Sequence, residues 1–366
     1  MRALLIGPNL AAGGAERQWS ILLPGLRRRG VDARLIALDA GGPFEASLRE
    51  RGVPFEVLRM RNQADLPRLA GSALIRGFRP DVVLTRGVSG LYVGAAIATA
   101  RGAGHAYNDH RQIGMSLSPR REALTRVIAR RVDRVIAVSG DQAQAWLARG
   151  YPESRIVVIS NGVETPLASD SRAAVRRELG IPESAVVALL AARLRPEKRV
   201  PDFVRAVQLA REPHPELIGL VAGDGPDRAA VEAAARGEDG VRLLGHRDDM
   251  PLLMHAADVF VLASQYEAVP MAILEAMAAG LPVLATDVGA ISGVVLDGDT
   301  GLLVPVADPG AMAAALGRLA GDAGLRERMG AAGARRHVEQ WHAERMIDGY
   351  ARVLEELRSE AGPDID

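Results

Sequence analysis

Ser264-Gln265-Tyr266-Glu267-Ala268-Val269-Pro270-Met271-Ala272-Ile273-Leu274-Glu275-Ala276-Met277-Ala278-Ala279-Gly280 reads as a loop, a short helix and a stop. Pro270 suits the first helical turn, where its missing N–H breaks no bond. Met, Ala, Ile and Leu carry the helix on, and Gly280 before Leu281-Pro282 ends it. Glu275 is out of character there. It stands between Leu274 and Ala276, one turn from Met271 and Ala278, on an otherwise apolar helix. Glu267 precedes the same helix, whose amide-rich end favours an anion. One short element thus offers phosphate-binding amides and two hydroxyl-binding carboxylates. Taken singly, a residue such as Glu267 is more often a solvated loop residue, and Glu275 equally fits one half of a structural ion pair with an arginine.

Outward from this stretch the chain alternates strand and helix. Apolar runs at residues 2–7, 33–38, 54–58, 81–85, 104–107, 134–138 and 155–160 read as strands with helical stretches between them. Asn161-Gly162-Val163-Glu164-Thr165-Pro166 and the polar Ser169-Asp170-Ser171 break the pattern. It restarts with strands at 185–192, 217–222, 241–244, 259–263 and 282–286, and helices near 201–210, 226–236 and 270–279. Two doubly wound parallel α/β sheets follow, with ligands expected at the carboxyl ends of the strands. The expected domains are 1–165 and 166–340. A closing segment, 341–366, carries an amphipathic helix near 342–359.

Composition bounds the reading. A chain of 366 residues fits two domains, and 48% hydrophobic with 25% charged residues is that of a soluble globular protein. It has no cysteine, which excludes disulfides and thiolate metal sites. The opening Met1-Arg2-Ala3-Leu4-Leu5-Ile6-Gly7 reads as a strand, not a signal peptide. No apolar run reaches the ~18 residues of a spanning helix, so a cytoplasmic location is expected. The zero net charge hides a split: residues 1–165 hold 24 arginines against 14 carboxylates, a net +10, and the remainder carries −10. Such a split suggests two domains with different partners. Residues 118–134 place Arg120, Arg121, Arg126, Arg130, Arg131 and Arg134 among Leu124, Val127, Ile128 and Val132. This basic amphipathic pattern predicts peripheral contact with an anionic membrane; a helix with a solvated Arg face is the alternative. Of the 45 basic residues Lys198 alone is lysine, a compact point charge in an arginine-rich chain.

The two carboxylates, with Pro270 between them and Ala276-Met277-Ala278-Ala279-Gly280-Leu281-Pro282-Val283 after, closely resemble the Glu-x7-Glu motif of glycosyltransferase family 4. These are retaining enzymes of the GT-B fold, two Rossmann-like domains facing across a cleft, with a C-terminal helix that crosses back to the first domain. The resemblance covers nearly the whole chain. It implies that Glu267 meets the donor sugar and Glu275 the ribose hydroxyls. Ala192-Arg193-Leu194-Arg195-Pro196-Glu197-Lys198 resembles the family's Gly-Arg-Leu-x-x-x-Lys motif, so Arg193 and Lys198 are expected to hold the donor diphosphate. Arg gives that group a fork and Lys a point charge. Gly13-Gly14-Ala15-Glu16-Arg17 resembles a loop of members that build bacterial surface polysaccharides; by itself it is more often a plain tight turn. Val221-Ala222-Gly223-Asp224-Gly225-Pro226 and Leu244-Gly245-His246-Arg247 resemble the turns beside the nucleoside and base. The implied donor site therefore comprises Gly14, Arg193, Lys198, Gly223, Gly225, Arg247, Glu267, Ala268, Val269 and Glu275. In Tyr107-Asn108-Asp109-His110 the resemblance implies a sugar-contacting role for His110, completing a catalytic set with Arg193, Lys198 and Glu267.

The chain departs from the family pattern in places. Ala192, Ala268 and Ala290 stand where glycine is usual, and Gly293 where glutamate is usual. An added methyl blocks a close backbone approach or a positive φ, which puts donor identity and turnover in question. The resemblance implies a retaining glycosyltransferase that moves a sugar from a UDP- or GDP-type nucleotide-diphospho-sugar to a glycan or lipid-linked acceptor. Neither a cofactor nor a metal is expected, nor a nucleic acid partner. Asp297-Gly298-Asp299 has a metal-binding spacing but also the composition of a turn. A GT-B sugar-nucleotide epimerase and a non-catalytic nucleotide-sugar-binding protein are the alternatives.

Overall fold

The computed structural model describes residues 1–11, 13–62, 65–109, 118–166, 172–267 and 269–360. The chain divides into two units, Met1–Gly162 with Ala343–Asp366, and Val163–His342.

In the first unit seven strands form one sheet, in the order β3-β2-β1-β4-β5-β6-β7. They are β1 Arg2–Asn9, β2 Asp32–Ala40, β3 Phe55–Val57, β4 Val82–Arg86, β5 Gly104–Asp109, β6 Arg134–Ala137 and β7 Ile156–Val158. Every pairing is parallel. Ala3-Leu4-Leu5-Ile6 is fully buried, as befits a strand covered on both faces by crossover helices. The helix Ala343–Glu360 belongs to this unit and buries Met346, Ile347, Tyr350, Val353 and Leu354. Arg29 grips it through Glu344 and Asp348, each at 2.6 Å. The hydrogen bond from Arg29 and a second from Arg28 hold the Glu344 carboxyl below its ordinary range.

The second unit carries six parallel strands in the order β10-β9-β8-β11-β12-β13. They are β8 Val186–Ala191, β9 Leu217–Ala222, β10 Val241–Gly245, β11 Val259–Leu262, β12 Val283–Thr286 and β13 Gly301–Val304. Alternation in the sequence gives no strand at Gly301–Val304. Four apolar residues after a turn are too few to carry a period, and it is pairing with β12 that makes them a strand. The Ala- and Gly-rich tract beyond it becomes two helices, Pro309–Gly321 and Ala323–Gln340. Asp308 caps the first through Ala311 N–H and Asp322 the second through Leu325 N–H, each at 2.8 Å.

Both sheets reverse their direction of growth once. The first runs β1 to β3 outward and resumes with β4 on the other side of β1. The second runs β8 to β10 outward and resumes with β11 beside β8. In open parallel sheets the crevice outside the carboxyl ends at such a reversal is where ligands bind. The residues at these crevices are those that follow β1 and β4, and those that follow β8 and β11.

Candidate active site

After β8 the chain runs through residues 192–195 without regular structure, makes a short turn at Pro196–Lys198, and enters the helix Val200–Arg211. The hinge is Arg199, held at φ +48°, in the left-handed region that costs a side-chain-bearing residue about 1–2 kcal/mol. Its Nε donates to Asp202 at 2.6 Å, which braces that conformation. The turn delivers Lys198 to the loop after β11. There Lys198 Nζ meets Glu267 Oε1 at 2.5 Å, and Ser264 Oγ donates to the same oxygen at 2.7 Å. Glu267 is 7% exposed and Lys198 19%. A second tie joins the loops along the backbone: Gln265 N–H donates to the Glu197 carbonyl at 2.8 Å. The second unit thus places a lysine–carboxylate pair directly on its sheet reversal, with the exposed Arg193 on the same β8 loop.

Glu275 stays out of character in the structure. The helix Met271–Ala278 buries Met271, Ile273, Leu274, Ala276, Met277 and Ala278, and Glu275 lies on its half-buried stripe with Ala272 and Ala279. One oxygen of the carboxylate, Oε1, is itself buried. Glu267 is not simply an anion before a helix: its charge is taken by Lys198, a pairing that sequence spacing did not reveal.

The remaining candidates divide. Gly223, at φ +151°, closely faces the β8 loop: a Cβ there would lie 1.8 Å from the Ala192 carbonyl oxygen, and one at Gly225 would lie 2.2 Å from that of Leu194. Neighbouring backbone therefore already accounts for both glycines. Arg247 grips Asp249 at 2.7 and 2.5 Å; that hydrogen bond raises the guanidinium and holds the Asp249 carboxyl low. Val269 is buried after Glu267. Gly14 is exposed at the start of the helix Gly14–Arg28, in the first unit. His110 and Ala268 lie outside the described residues. Asp297-Gly298-Asp299 is a turn, with Gly298 at φ +77° and Asp297 Oδ1 accepting from Leu303 N–H at 2.9 Å.

Two of the departures are sterically mild. Ala290 has φ −88°, which any residue adopts, because Gly289 before it takes the left-handed turn at φ +54°. At Gly293 a Cβ would meet nothing within 4 Å. Ser264 and Gly289 are the residues that sequence reasoning missed. Ser264 is fully buried and seats Glu267, while its own carbonyl accepts from Thr286 Oγ1 at 2.6 Å. A Cβ on Gly289 would lie 1.9 Å from the Glu267 carbonyl oxygen, so the loop after β12 supports Glu267 from beneath. Neither residue carries a charge that would single it out in sequence.

Two family models match consecutive parts of the chain. "Glycosyltransferase Family 4" matches residues 12–166, and "Glycosyl transferases group 1" matches residues 185–322. The D-inositol 3-phosphate glycosyltransferase of Salinispora arenicola is 34% identical over 253 residues, which is 63% of this chain and 56% of that protein. The N-acetyl-alpha-D-glucosaminyl L-malate synthase of Bacillus anthracis is 32% identical over 183 residues, 49% of this chain and 48% of that protein. The chain spans about half the length of the curated relatives it matches. In fold it is similar to Anabaena HepE solved with UDP-glucose, at a TM-score of 0.85 and 23% identity over 98% of this chain and 100% of that one. Taken together with the two parallel-sheet units, these matches place the chain in glycosyltransferase family 4, with the GT-B fold.

Proposed function

We propose that the protein is a retaining glycosyltransferase that takes its sugar from a nucleotide-diphospho-sugar. The observation that carries this reading is the Lys198–Glu267 pair on the β8/β11 reversal, on the two loops whose motifs resemble the family's donor site. Arg193 and Lys198 neutralise the departing diphosphate, Glu267 orients the donor sugar and Glu275 binds the ribose hydroxyls. The protein's main contribution is position and charge: donor and acceptor are held in line, and the leaving group meets fixed cations. The leaving phosphate itself takes the acceptor proton, so no protein nucleophile is required. UDP is the first nucleotide to test, because HepE was solved with UDP-glucose. The acceptor is a glycan or lipid-linked intermediate. The test is turnover of an α-linked donor in excess EDTA, with the product anomer read by proton NMR. Metal-independent formation of an α-linked product is expected. Activity restored only by manganese, or a β-linked product, would overturn the mechanism.

The two carboxylates divide the donor between them. Glu275→Gln is expected to weaken binding of free UDP by about tenfold or more, the worth of one hydrogen bond to a charged group. Glu267→Gln removes the partner that holds Lys198 and is expected to harm the intact sugar donor far more than free UDP. Calorimetric titration of both ligands checks this, and equal losses of UDP affinity in the two variants would refute the division.

An anionic membrane is the partner proposed for the first unit. On the helix Pro119–Ala129, Leu124 is 48% exposed and Val127 56%, and they share that outer surface with Arg120, Arg121 and Arg126, followed by Arg130 and Arg131. No helix among the described residues is long and apolar enough to cross a membrane. Each surface arginine is worth about 1 kcal/mol near an anionic leaflet and less as salt rises. Co-sedimentation with phosphatidylglycerol vesicles at low salt is therefore expected, and not with phosphatidylcholine alone. Leu124→Ser/Val127→Ser is expected to weaken it. Indifference to lipid charge would leave this surface simply solvated.

A further inference from the structure

The first unit repeats at its own sheet reversal the device found in the second. Arg86 closes β4, and Glu16 lies in the first turn of the helix that follows β1. Arg86 is 2% exposed, and its guanidinium reaches Glu16 Oε1 at 3.1 Å and the Asn9 carbonyl at 3.4 Å while lying over the Trp19 ring at 4.3 Å. Burial lowers the Arg86 pKa from its ordinary value. The surroundings make room for this stack. A Cβ on Gly7 would lie 2.9 Å from the Trp19 ring and 3.5 Å from Arg86, so only glycine lets β1 pass beneath. A buried ion pair is a poor stabiliser, since its desolvation cost commonly equals its attraction. Placed at a ligand-binding reversal, it has a use that stability does not supply.

The pair has a polarity. The guanidinium is sealed by Trp19, Asn9 and Glu16, whereas the Glu16 side chain keeps 14% of its surface open. What it offers a ligand is therefore a hydrogen-bond acceptor carrying negative charge. That surface suits hydroxyls and disfavours phosphate.

We infer that Glu16 contacts the hydroxyls of a polyhydroxylated acceptor, a sugar or cyclitol, and that Arg86 is a positioning residue that holds Glu16 in place. This rests on the proposed transferase reading, which gives the first unit the acceptor. Glu16 also bends back over Gly13, where a Cβ would lie 2.4 Å from Oε2, so a role confined to the helix start must be told apart.

The experiment is saturation-transfer NMR on the whole chain with UDP present. The probes are myo-inositol, glucose, N-acetylglucosamine and glucose 6-phosphate. At least one unphosphorylated probe is expected to bind, with affinity reduced about tenfold or more in Glu16→Gln, the loss of one charge-assisted hydrogen bond. Arg86→Lys is expected to keep more of that affinity than Arg86→Met. Titration of the same protein and variants with UDP, before any probe is added, reads the donor site separately, so its failure counts against the transferase reading and not against Glu16. Three results overturn the inference: no unphosphorylated probe binds; Glu16→Gln lowers Tm but leaves probe affinity unchanged; or glucose 6-phosphate alone binds and does so more tightly in Glu16→Gln.

Discussion

Lys198→Ala is expected to lower donor turnover by about 10²–10³-fold, the cost of removing one preorganised charge from a developing anion. Donor affinity falls less, by roughly 10- to 150-fold, which corresponds to ~1.5–3 kcal/mol for a lost contact to a charged group. The variant has a second consequence, because Lys198 is the cation that Glu267 meets at 2.5 Å. With the ammonium gone, a carboxylate only 7% exposed keeps the Ser264 hydroxyl but loses its countercharge. Breaking a buried pair from one side costs more than replacing both halves. Lys198→Ala is thus expected to melt below the wild type while remaining folded by circular dichroism. The double variant Lys198→Ala/Glu267→Gln is expected to regain melting temperature without regaining turnover. That pattern separates the structural share of the pair from the catalytic one. Donor affinity within twofold of wild type in the single variant would remove Lys198 from the diphosphate site.

Gly289→Ala is the other large effect, and it acts through no ligand contact at all. The residue sits at φ +54°, a conformation that costs alanine about 1–2 kcal/mol. Its new methyl would lie 1.9 Å from the Glu267 carbonyl oxygen, so the loop after β11 must move. Overpacking of that kind adds about 1–3 kcal/mol. Calorimetry should show the second unit destabilised by roughly 2–5 kcal/mol, the sum of the two costs. Sugar-donor affinity should fall with it, since Glu267 is displaced. Ala290→Gly is the control. It restores the residue usual in the family at a position already at φ −88°, and it should change stability by less than about 1 kcal/mol. A Gly289→Ala variant with wild-type melting and donor affinity would show that Glu267 is not supported from beneath.

The architecture was largely legible in the sequence because parallel sheets announce themselves. Strands buried on both faces are apolar runs such as Ala3-Leu4-Leu5-Ile6, and their turns carry Gly, Pro and Asp. All seven strands of the first sheet and five of the second fall where alternation puts them; β13 escaped because its four residues hold no period. The chemistry was legible only as residue type. Arg193, Lys198, Glu267 and Glu275 stood out as charges in motif positions. That Lys198 and Glu267 would meet, 69 residues apart in sequence, depends on β8 and β11 lying side by side. The Glu16–Arg86 pair was hidden for the same reason, being joined only through the adjacency of β1 and β4. Ser264 and Gly289 could not be found by charge at all. One acts through a hydroxyl and the other through the side chain it lacks.

A nucleoside diphosphate held by cations at the β8/β11 reversal is tested most directly by a thermal-shift screen. Purified protein in excess EDTA would be melted with UDP-, GDP-, ADP- and dTDP-sugars in turn. A ligand at ~100 times its dissociation constant stabilises the folded state by ~2.7 kcal/mol. One nucleotide series is expected to raise the melting transition without metal, and the shift is expected to be lost in Lys198→Ala. No shift with any of the four series, or an equal shift in Lys198→Ala, would contradict this assignment.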